Sequence, residues 1–199
     1  MTDNKFRNLE LTGFFFTFLA GILFHFLYEF TEKSVVGILF GSVNGSIWEY
    51  SKVFALSYCI WGFIELALSV PYFRQFIVAK IFALYLQGIL IIFTLWLYTT
   101  LSQKTADFQQ ILTVVFLSSA IACYTAYRIT ISEKDIRCLF VLALSFLFVF
   151  FIVFFCFSVV PPHTAIFQDP LTLLYGIIPK NIDVGAYFMN NMEVCVKFQ

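Results

Sequence analysis

Eight side chains in this 199-residue chain have the types and spacing to hold a small ligand or do chemistry: His25, Glu29, Glu32, Asn44, Glu49, Lys52, His163 and Asp169. His25 and Glu29 are four apart and Glu49 and Lys52 three apart, so each pair shares a face wherever its segment is helical. Two chemistries follow. In the first, Glu29, Glu49 and Asp169 are acidic ligands for a small polar or cationic solute that is bound or helped across a membrane, with Asn44, Trp48 and Lys52 around it and His25 as a protonatable partner. In the second, His25 and His163 hold a divalent metal together with Glu29 and Asp169, and Glu49 is general base on the bound water of a metal-dependent hydrolase acting on a lipid-like substrate. Neither has a local signature, since the sequence contains no H-E-x-x-H, no G-x-S-x-G elbow and no phosphate loop.

Each residue also has a plain structural role. Ser46-x-x-Glu49 fits a helix capping box. Lys52 is long enough to snorkel to an interface, and His163 after Pro162 and Asp169 before Pro170 suit turns. A third reading is therefore an accessory or structural membrane subunit whose polar motif fixes its own fold.

The elements that must position these residues are set by composition. With 61% hydrophobic and only 12% charged residues, and a mean hydropathy of +0.89, the chain lacks the charge to cover a soluble globule, so its solvent is the lipid bilayer. Twelve basic and twelve acidic residues cancel, and no basic patch points to nucleic acid. The fold class is all-α: a polytopic transmembrane helix bundle forming one integral membrane domain over residues 1–199. Five apolar runs, about 11–30, 46–68, 76–101, 111–129 and 139–160, are each near the roughly 20 residues that cross a bilayer as a helix. The first is read as a retained anchor. Residues 31–45 are expected to be a loop or shallow re-entrant turn, and 161–199 an interfacial segment and tail.

Five spans put the end of the first, the start of the second and the segment after the fifth at one membrane face, which gathers the eight residues into one cluster. The opposite face offers Glu65, Arg74, Lys80, Arg128 and the Glu133-Lys134-Asp135 turn, which read as ordinary helix-end charge. A cytoplasmic N-terminus puts seven basic residues inside and four outside, in the sense of the positive-inside rule. The five cysteines, Cys59, Cys123, Cys138, Cys156 and Cys195, show no C-x-x-C spacing and no paired pattern, so neither a disulfide framework nor a thiolate zinc site is expected.

The run Ser42-Val43-Asn44-Gly45-Ser46-Ile47-Trp48-Glu49-Tyr50-Ser51-Lys52, with His25-Phe26-Leu27-Tyr28-Glu29 before it and Asp169-Pro170-Leu171-Thr172-Leu173-Leu174-Tyr175-Gly176 after the last span, resembles an uncharacterised bacterial family of small multi-pass membrane proteins. The motif of that family reads S-V-N-E-S-I-W-E-H-L-K. Here Gly45 replaces its glutamate and Tyr50 its histidine, which weakens metal coordination at that position. The resemblance implies the membrane class and no activity.

Overall fold

The computed structural model describes residues 3–68 and 70–177. Among these the chain is helical: α1 (Asp3–Phe30), α2 (Val35–Phe40), α3 (Ile47–Ala67), α4 (Phe73–Ser102), α5 (Phe108–Thr130) and, after one 3-10 turn at Arg137–Leu139, α6 (Phe140–Val159). The only sheet-like pairing among the described residues is an isolated bridge between Gln168 and Tyr175.

Four of these helices, α1, α4, α5 and α6 with its leading turn, are long and apolar enough to cross a membrane. The remaining long helix, α3, has 21 residues, about 31 Å at 1.5 Å per residue. It carries Glu49, Lys52 and Glu65 because it meets protein rather than lipid. Trp48, Ala55, Leu56 and Tyr58 from α3 form one core cluster with Phe14 of α1, Leu84 of α4, Ala122 of α5 and Phe154 of α6. α6 has the opposite environment: Val141, Leu142, Phe148 and Ile152 are exposed, an apolar surface suited to acyl chains.

Close approach of α1 to α3 rests on two glycines. A Cβ at Gly13 would run into the Trp61 indole, and one at Gly21 into the Phe54 ring. Small residues at such crossings let helices pack closely where lipid supplies no hydrophobic drive between them.

The helices alternate in direction. At one end Gln75 Nε2 at the start of α4 donates to the carbonyls of Ile129 in the last turn of α5 and Ser132 just after it, each at 2.9 Å. At the other end Asn44 and Gly45, just before α3, bond the segment that follows α6. Residues 31–45 hold the six-residue α2, capped by Ser34, whose hydroxyl accepts from the Gly37 N–H at 3.3 Å. Residues 164–177 are not helical; they fold back as a tight turn in which Leu173 N–H bonds the Asp169 carbonyl and Asp169 N–H bonds the Leu174 carbonyl, both at 2.9 Å. Lys180, Cys195 and Lys197 lie outside the described residues.

Candidate functional site

At the end of the bundle where sequence gathers its candidates, most of the polar groups close on one another. Glu49 Oε2 accepts from the Val43 N–H at 2.9 Å and pairs with Lys52 Nζ at 2.7 Å, while Glu49 Oε1 accepts from the Ser158 hydroxyl of α6 at 3.0 Å. The Lys52 ammonium uses its other two donors on Ser158 Oγ at 2.8 Å and on the Ile38 carbonyl at 3.1 Å. That carbonyl lies in the last turn of α2, where a helix leaves acceptors unfilled and favours a cation. The snorkelling expected of Lys52 is therefore corrected: the side chain is fully buried, turned inward to join α2, α3 and α6.

Capping at the start of α3 is split between two residues. Ser46 Oγ accepts from the Glu49 N–H at 3.4 Å, but the return bond to the Ser46 N–H comes from Asn44 Oδ1 at 2.9 Å, because the Glu49 carboxylate is engaged elsewhere. Asn44 Nδ2 bonds the Gly176 carbonyl at 2.8 Å. Asp169 accepts through Oδ1 from the Gly45 N–H at 2.8 Å, and through Oδ2 from the N–H and hydroxyl of Thr172 at 2.8 and 2.6 Å. Trp48 stacks on Phe154 and packs on Phe167, with centroids 4.6 and 4.7 Å apart. Of the other candidates, Glu29 and Glu32 are exposed and outside this network. His25 stacks on Tyr50 at 5.2 Å and His163 on Tyr175 at 4.7 Å, and among the described residues no three His, Cys, Asp or Glu come together as a metal site.

The opposite end holds a centre that the sequence reading passed over. Glu65 and Lys80 are not helix-end charges exposed to water: Glu65 is fully buried and Lys80 is 6% exposed. The Lys80 ammonium lies 2.7 Å from Glu10 Oε2 and 2.6 Å from Glu65 Oε2, with the Tyr58 ring 4.8 Å below it. Glu10 is buried as well, because α1 begins at Asp3 and puts Phe6, Glu10, Phe14 and Thr17 on its inward stripe. That three-and-four spacing was the signal available in the sequence. An apolar run taken to begin at about residue 11 leaves Phe6 and Glu10 outside it.

This second centre is not closed. Two carboxylates and one ammonium leave a formal charge of −1. Glu10 Oε1, Glu65 Oε1, the Tyr58 hydroxyl and the Trp61 indole N–H are all buried without a hydrogen-bond partner, and Glu65 Oε2 meets Lys80 only as an ion pair outside hydrogen-bond geometry. The Trp61 N–H lies beside the Glu65 carboxylate. Buried groups in this condition are rare in native proteins and call for a cause. Two cavities border the centre. One, of about 430 Å³, is bordered by Arg7, Asn8 and Glu10 but mostly by apolar side chains such as Leu11, Phe14 and Phe116. The other, of about 100 Å³, is bordered by Lys80 and Tyr58 and otherwise mostly by apolar side chains such as Leu144 and Leu147.

Residues 2–177 match a family described as "Family of unknown function (DUF6512)". No curated protein and no solved structure matches the chain.

Proposed function

We propose, from the premise that the chain belongs to this family of unknown function, that it is an integral membrane protein that binds a small monovalent cation at Glu10, Glu65 and Lys80. One observation carries the reading: two buried carboxylates share a single ammonium, so the centre has an uncompensated negative charge inside the bundle. Charge of this kind at membrane depth costs several kcal/mol and marks ion or proton pathways. The Glu49–Lys52 pair is neutral and its hydrogen bonds are filled, which supports a role in holding α2, α3 and α6 together rather than in taking a ligand.

The test is thermal unfolding of the detergent-purified protein across sodium, potassium and proton concentrations. A ligand that binds only the native state raises the apparent stability by mass action. The expected result is a wild-type midpoint that rises with one of these cations and a Glu65→Gln protein that no longer responds. A wild type indifferent to all three would overturn the proposal and favour the accessory-subunit reading, which the closed Glu49 network supports.

A further inference from the structure

We infer that the cation is a proton shared by Glu10 and Glu65, exchanging with water through Glu10; this rests on the cation-binding reading above. Two buried carboxylates held on one ammonium are hard to keep ionised together without a second positive charge. Each Oε2 faces Lys80, leaving an Oε1 free on both acids, and an O–H on either becomes a donor where the centre has an excess of acceptors. A hard metal ion wants about six oxygen ligands. The centre offers it a few carboxyl oxygens and a phenol, with an ammonium already among them to repel it.

Access is one-sided. Glu10 borders the larger cavity between α1 and α5, whereas Glu65 borders neither cavity. In the loading step a hydronium gives its proton to the Glu10 carboxyl, an O–H bond forms there and water is left behind, taking the centre from −1 to neutral. Transfer inward breaks that O–H bond as one forms on Glu65, with no change of redox state. The other titratable groups lining the two cavities are Tyr58 and Cys59 from α3, Lys80 from α4, Cys123, Tyr124 and Tyr127 from α5, and Arg7 from α1; α6 contributes Leu144 and Leu147.

Infrared spectroscopy of the full chain in liposomes tests this directly. At neutral pH the wild type should give the carbonyl stretch of a protonated carboxyl, shifted in D2O. Glu10→Gln or Glu65→Gln should each abolish it, since the remaining carboxylate then pairs one-to-one with Lys80, and Glu49→Gln should leave it in place. Asp135 does not interfere: the Arg137 guanidinium bonded to it holds its carboxyl down to about 2, so it is ionised there. If the wild type lacks the band but sodium or potassium shifts its carboxylate bands, the proton is overturned and cation binding stands. If the band is absent and the spectrum ignores every cation, both fall. A band surviving in both single variants also overturns the proton, and where a Gln variant does not accumulate the wild-type spectrum decides.

Discussion

Glu49 and Glu65 sit on one helix, are equally buried, and have opposite surroundings. Glu49 meets two neutral donors and one ammonium, so its charge is matched and both oxygens are filled. Glu65 shares its ammonium with Glu10 and keeps an oxygen empty. Removing one partner from a filled pair strands the other, a loss of about 3–5 kcal/mol in buried cases, while replacing both by apolar residues of similar size is often far cheaper. Glu49→Leu and Lys52→Met should therefore each lower the unfolding midpoint strongly, and the double variant should lose less than the two singles together. Denaturation of the purified proteins measures it. Additive losses would mean that the pair is not the unit that holds α2 and α6 to α3.

At the scale of elements, the sequence was most informative where lipid dictates it. The apolar runs near 76–101, 111–129 and 139–160 became α4, α5 and α6 within a few residues, because a lipid-facing helix must be apolar over its whole crossing. It was least informative where protein meets protein. The start of α1 looked polar from its composition and is helical from Asp3, and the ionic centre joins Glu10, Glu65 and Lys80 from three helices, so no local spacing could reveal all of it. The first cluster was legible in part: Asn44, Glu49, Lys52 and Asp169 are brought together, but into bonds with the fold itself. Glycines at helix crossings were likewise unreadable without partners. Gly21→Leu should destabilise by at least about 1–3 kcal/mol, since its side chain must displace the Phe54 ring. Gly62, on α3 with open space at its Cβ, is the control: Gly62→Ala should be neutral or gain up to about 1 kcal/mol from helix propensity. Paired thermal melts distinguish them, and equal effects would remove the close-packing account of α1 on α3.

For the whole molecule, the question is whether α3 crosses the membrane although composition alone selects only the other four long helices. The bonding pattern favours a crossing. Asn44, before α3, meets Gly176 after α6, whereas Gln75, after α3, meets the end of α5, so the two termini of α3 lie at opposite ends of the bundle. A helix can carry Glu49, Lys52 and Glu65 through the bilayer when protein surrounds it and the charges are paired, because lipid never meets them. Burial of Lys80 in the ionic centre also takes one residue from the seven basic groups counted as cytoplasmic, which lessens but does not reverse the orientation bias. Cysteine labelling reads both points at once. In a cysteine-free background, Glu32→Cys and Lys104→Cys should react with a membrane-impermeant maleimide from the same side, and Glu133→Cys from the other. Four crossings, with α3 lying inside without spanning, would put Glu32 and Lys104 on opposite sides. With the N-terminus in the cytoplasm, Glu133→Cys reacts only in inverted vesicles, and with it the end of the bundle that holds Glu10, Glu65 and Lys80 faces the cytoplasm.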